Sequence, residues 1–179
     1  MSDRARPRLF SFARETELAN LDAWVQDEAQ RALLVELVDA FLEISRTRKI
    51  REETLAPIYA AASHPSPRVR SMGISRIAVL THYFEEARDA FAKLLTHEDP
   101  SVRQFACHAL AAVHDLAFTD LLPIALADPS WEVRKAAAQV CSTLRRSDVM
   151  GWVQQRLSVE TDPRVQGVLV AAVQFQSRS

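Results

Sequence analysis

The chain has 179 residues, enough for one compact domain or a short solenoid, and its 48% hydrophobic and 25% charged content suits a folded core with a solvated surface. A formal net charge of −1 excludes a global attraction to nucleic acid or to an anionic membrane. No apolar run reaches the roughly 20 residues of a membrane span. The two isolated cysteines, Cys107 and Cys141, have neither a metal-knuckle spacing nor the pattern of a secreted disulfide framework, and read as small buried hydrophobes.

In chain order, residues 1–14 are rich in Arg and Pro with little to bury and are expected to be a disordered tail. They lack the apolar segment of a secretory signal, so a cytoplasmic location is the expectation. Residues 15–51 predict one or two N-terminal capping helices. Leu18, Leu21, Trp24, Val25, Ala32, Leu37, Val38, Phe41 and Ile44 supply the apolar positions over a stretch without Pro or Gly. The basic group Arg46, Arg48, Lys49 and Arg51, with Arg4, Arg6, Arg8 and Arg14 in the tail, is the best local anion-binding candidate and keeps a nucleic-acid partner open.

From residue 52 onward the sequence repeats. Four seven-residue segments align without gaps: HPSPRVR at 64–70, HEDPSVR at 97–103, DPSWEVR at 128–134 and ETDPRVQ at 160–166. Their valines, Val69, Val102, Val133 and Val165, are 33, 31 and 32 residues apart, the length of a helix, a tight turn and a second helix. Each segment predicts a helix start. Pro67, Pro100 and Pro163 suit a first helical turn, with Ser66, Asp99 and Asp162 as N-cap candidates. In the third segment Trp131 holds the proline slot, so Asp128 and Pro129 are expected to take the cap and first-turn roles two positions earlier.

After each turn runs one apolar stripe at helical spacing. It reads Val69, Met72, Gly73, Ile77 and Leu80, with Arg76 among them; Val102, Phe105, Ala106 and Leu110; Val133, Ala136, Ala137, Val140 and Cys141; and Val165, Val168, Leu169, Ala172 and Val173. Gly73, Ala106 and Ala137 fall at one position and predict close helix approach, whereas Leu169 breaks that rule. The preceding helices are marked by Leu55 and Ile58; Phe91 and Leu94; Phe118 and Leu122; and Trp152 and Val153. The four repeats over 52–179 are expected at about 52–80, 84–114, 118–146 and 148–176, and with the cap they form a single continuous domain.

Residues 121–144, LLPIALADPSWEVRKAAAQVCSTL, resemble the HEAT-repeat consensus almost throughout. The other units are similar to the short bacterial HEAT variant found also in phycobilin-lyase-like proteins. The resemblance implies an all-α, right-handed solenoid of helical hairpins, and a function as a non-catalytic protein–protein scaffold or adaptor. A nucleic-acid-binding or DNA-repair protein and a lyase-like chaperone are the alternatives. It also implies a ladder in which a turn aspartate meets an arginine after the valine. Arg70, Arg103 and Arg134 match that arginine and Asp128 the aspartate, while His64, His97 and Glu160 stand in the aspartate's place and Gln166 in the arginine's.

No cofactor or metal is expected. The five histidines have no ligand spacing, and no phosphate loop or nucleophile elbow occurs. In the resemblance the second helices line the concave surface, which places Ser75, Arg76, Gln104, His108, Lys135 and Gln139 toward a partner protein or peptide. Ser71, Ala78, Ala111, Ser142, Gly167, Ala171 and Gln174 extend that face. Trp131 is either a lid over its hairpin or an anchor. Leu169, Val170 and Phe175 are expected to form an apolar C-terminal edge suited to self-association.

Overall fold

In the computed structural model, residues 13–111, 121–144 and 147–176 are described, and all regular structure among them is helical. The helices are α1 (Arg14–Trp24), α2 (Glu28–Thr47), α3 (Glu52–Ala62), α4 (Pro67–Leu80), α5 (Glu85–Leu95), α6 (Pro100–Ala109), α7 (Leu122–Leu126), α8 (Trp131–Leu144), α9 (Ser147–Leu157) and α10 (Pro163–Gln176). Of the tail expected at 1–14, residues 1–12 lie outside the described residues, whereas Arg14 opens α1 and binds Asp39; Phe118, His114 and the side chains of Phe175 and Gln176 also lie outside.

Consecutive helices pack as hairpins, α3 on α4, α5 on α6, α7 on α8 and α9 on α10. The second helices then stack on one another in order, α4 on α6, α6 on α8 and α8 on α10, while α3 meets α5 and α7 meets α9 in the outer layer. This is an all-α solenoid. Helices α1 and α2 precede it, with α2 resting on α3 and α4.

The four second helices start at equivalent positions, Pro67, Pro100, Trp131 and Pro163. The two-residue offset expected in the third unit does not occur. Asp128 accepts the Ser130 N–H at 2.8 Å inside the turn, and the helix begins at Trp131 with Ser130 ahead of it. Asp99 caps as expected, accepting the Ser101 N–H at 2.8 Å. Ser66 occupies the cap position of α4, but its hydroxyl makes no cap bond.

Burial follows the stripe and widens it. Val69, Ile77, Leu80, Val102, Ala106, Val133, Ala137, Val165 and Leu169 are fully enclosed, and Ile74 and Ala138 join them because α4 and α8 each face a hairpin partner and two neighbouring units. Ala78 is buried too and leaves the partner face to which it was assigned. In the cap, Leu21, Leu34, Leu37, Phe41 and Ile44 form the inward side, whereas Ala32 is exposed. Gly73 marks the closest approach. A Cβ placed there falls 2.2 Å from the Ala62 nitrogen, so α4 can lie this near the end of α3 only without a side chain.

Candidate functional site

Four turns hold the second helices in register. Their first residues, His64, His97, Asp128 and Glu160, each accept the backbone N–H two residues on. His64 Nδ1 takes it from Ser66 at 3.0 Å, His97 Nδ1 from Asp99 at 3.1 Å, Asp128 Oδ1 from Ser130 at 2.8 Å and Glu160 Oε1 from Asp162 at 2.9 Å. The residue after the valine closes the same turn by donating to the carbonyl of that first residue. Arg70 does so at 3.0 Å, Arg103 at 2.7 Å, Arg134 at 2.9 Å and Gln166 at 2.6 Å.

Where the next turn opens on a carboxylate, the guanidinium also bridges to it. Arg103 forks onto Asp128 at 2.7 and 2.9 Å, and Arg134 onto Glu160 at 2.8 and 3.1 Å. A neutral imidazole whose Nδ1 already accepts has no second acceptor to offer. Arg70 therefore meets only Asp99, at 3.8 Å, among the described carboxylates. Glu160 thus replaces the expected aspartate without loss, and the ladder runs from the second turn to the fourth. Burial pushes the Glu160 carboxyl up, but bonds from Arg134, the Asp162 N–H and Arg156 outweigh it and hold the group at about 2.

These turns present the second-helix face. Ser75, His108 and Gln139 are exposed on it, and Gln104 and Lys135 are half-buried. Partial burial lowers the His108 pKa. Arg76 does not offer its charge outward as assigned. Its Nη2 donates to Glu17 of α1 at 2.7 Å and its guanidinium lies 4.9 Å from the Phe41 ring centre, so it ties the cap to the first hairpin.

Among the described residues, two depressions lie on this face. One, of about 750 Å³, lies between α1, α4 and α6 and is lined by Trp24, Arg68, Met72, Ser75 and Phe105. The other, of about 630 Å³, lies between α8 and α10 among Gln139, Ser142, Gly167, Val168 and Ala171. The first is aromatic and cationic, the second small and uncharged. Arg68 was not among the residues singled out from sequence. Its signal is an arginine just before the valine, unmatched by any acid in the same turn segment.

The remaining candidates are resolved by their contacts. Trp131 is half-buried, with the Arg164 guanidinium 3.4 Å from its ring centre and the Lys135 ammonium at 5.8 Å, so two cations cover it. Leu169 is 0% exposed and provides no surface anchor, because its side chain fills the interior at the position where other units hold a small residue. Val170 is 39% exposed, and the Phe175 side chain lies outside the described residues.

The basic group is diluted by acids. Arg46 binds Glu43 at 2.8 Å, and Arg51 meets Glu53 at 2.9 Å and Glu43 at 3.6 Å. Arg48 forms the left-handed C-cap of α2, and Lys49 is exposed. That pairing weakens the basis for a phosphate-binding patch. Burial pushes the Cys107 thiol up and raises Cys141 to about 12, which leaves both unreactive at neutral pH. Among the described residues no group of three His, Cys, Asp or Glu is placed to hold a metal ion, and no helix is long and apolar enough to cross a membrane.

Comparison with known families agrees with this geometry. A family model described as HEAT repeats matches residues 55–122, and one described as HEAT repeat matches residues 120–144. No curated protein matches the chain.

Proposed function

Since the chain belongs to the HEAT-repeat proteins, we propose that it is a non-catalytic scaffold or adaptor whose second-helix face binds another protein or a peptide. The observation that carries this reading is the face itself. Exposed and half-buried polar side chains, Ser75, Gln104, His108 and Gln139, alternate with two open depressions along helices fixed in register by buried turn bonds. A small apolar ligand needs an enclosing pocket, whereas an extended partner gains from a long, preformed, mixed surface.

Several perturbed titratable groups fit a structural role. Arg103 faces Asp128 and Arg134 faces Glu160 within the ladder, and the shifted thiols are sealed in the core. We take residues 15–51 as the cap and 52–176 as the four repeats of one continuous array.

Affinity capture from native lysate tests the proposal. The full chain is expected to retain a protein partner that is lost when Ser75→Arg and Gln139→Arg crowd the face and kept when Gln155→Arg changes the outer layer. Retention of nucleic acid in place of protein, or indifference to the face variants, contradicts it.

A further inference from the structure

The N-terminal depression carries an unbalanced charge. Five arginines of the second helices stand by a carboxylate: Arg70 by Asp99 at 3.8 Å, Arg76 by Glu17 at 2.7 Å, Arg103 by Asp128 at 2.7 Å, Arg134 by Glu160 at 2.8 Å and Arg164 by Asp162 at 2.6 Å. Arg68, exposed in the first turn of α4, has no carboxylate partner among the described residues. Its guanidinium lies over the Trp24 ring, 5.9 Å from the centre. The neighbouring helix starts hold acids, Asp99 at α6, Glu132 at α8 and Asp162 at α10, but α4 begins with Ser66 and Pro67 and has no acid in its first turn.

Beside Arg68 the floor is apolar. Trp24, Met72 and Phe105 are each half-buried, backed by the core and open on one side to a depression of about 750 Å³. Two aromatic rings and an adaptable thioether suit one large apolar side chain of a partner, with room for its neighbours. The arginine fork above them suits a carboxylate better than any neutral group. At 5.9 Å the Trp24 ring attracts the Arg68 guanidinium from the outer limit of cation–π range, which favours its position beside the depression.

From this combination we propose that the depression bounded by Trp24, Arg68, Met72 and Phe105 receives an acidic peptide segment of a partner protein. A bulky apolar side chain seats on the rings, and an aspartate or glutamate within a residue or two of it pairs with Arg68. The inference rests on the scaffold reading and narrows it to one end of the face and one partner chemistry. A basic segment meets Arg68, which no described carboxylate pairs, while Glu17, the acid beside the lining Arg76, is already engaged by it. The depression between α8 and α10 has neither rings nor charge to make the same selection.

The test is selection of random phage-displayed peptides on the full chain, followed by fluorescence polarisation with the enriched peptides. Enriched sequences are expected to place Asp or Glu beside Leu, Phe or Trp. Their affinity is expected to fall about tenfold or more with Arg68→Glu, as for a charge pair at an interface. It should partly persist with Arg68→Lys and hold with Gln155→Arg on the outer layer. Enriched peptides without acids, or affinity unchanged by Arg68→Glu, overturn the proposal. Loss with Gln139→Arg but not with Arg68→Glu moves binding to the other depression and leaves the scaffold reading standing. Recovery of no peptide while a protein partner is still captured from lysate also overturns the proposal alone, and recovery of neither overturns both.

Discussion

The first two turns and the last two make the same fold with different chemistry. At the N-terminal end, the His64 and His97 rings each accept a backbone N–H but receive no arginine from the unit before, and the first hairpin is held by close contact of Gly73 with Ala61 and Ala62. At the C-terminal end, Asp128 and Glu160 satisfy the same N–H and also receive an arginine from the unit before. A solenoid's stability is roughly a sum of units and neighbour interfaces. One end can therefore rely on shape and the other on buried charge without any change of architecture.

The largest expected effect lies at Glu160, whose side chain is fully enclosed between Arg134 and Arg156. Glu160→Ala leaves both guanidinium groups without this partner and is predicted to cost about 3–5 kcal/mol in urea unfolding. Acid acts in the same direction. The folded carboxyl titrates at about 2 against an ordinary value of 4.5, so its contribution is complete above pH 4.5 and is lost as pH falls from there through about 2. Glu160 alone should account for no more than about 3.5 kcal/mol of the loss over that window, and Glu160→Gln should flatten that part of the profile. An unchanged acid limb in the variant removes buried charge as the distinguishing feature of this end.

Next in size is the contact at the other end. Gly73→Ala is predicted to destabilise by about 2–3 kcal/mol, because backbone rather than a movable side chain stands in the way. Gly151→Ala and Gly167→Ala, which meet nothing within 4 Å, should stabilise by up to about 1 kcal/mol through helix propensity. Thermal melts of the three variants decide the point, and equal responses would erase the contrast. The smallest effect converts one end into the other. His97→Asp supplies a carboxylate where Arg70 lacks a close one, and a gain of about 1 kcal/mol in urea unfolding is expected. A neutral or negative result means that turn geometry, rather than the missing acid, separates the two ends.

Sequence made the local rules visible. The valine spacing placed the four turns, the prolines three helix starts, and the small residue at Gly73 the closest approach. The errors have physical sources of two kinds. The cap bond of Ser66 and the offset of the third unit follow from cap preference alone, whereas His64 and Asp128 accept the N–H of the residue just before each helix, Ser66 and Ser130, and both starts share one register. Arg76, Arg68 and Leu169 depend on contacts remote in sequence. The cap helix brings Glu17 to Arg76 and Trp24 to Arg68 across a docking geometry that no repeat period encodes. Leu169 looks like an exposed edge until α8 and α9 close around α10. The second-helix face was legible in sequence but its charge pattern was not, because the pairing that leaves Arg68 without an acid involves partners from other turns and from the cap.

Site-specific photocrosslinking in cells separates the two layers most directly, with the probe at His108 on the second-helix face or at Ile124, 54% exposed on the outer layer. If the second-helix face is the binding surface, the His108 probe captures a defined partner protein and the Ile124 probe does not. Capture from Ile124 alone, or of nucleic acid from His108, contradicts it.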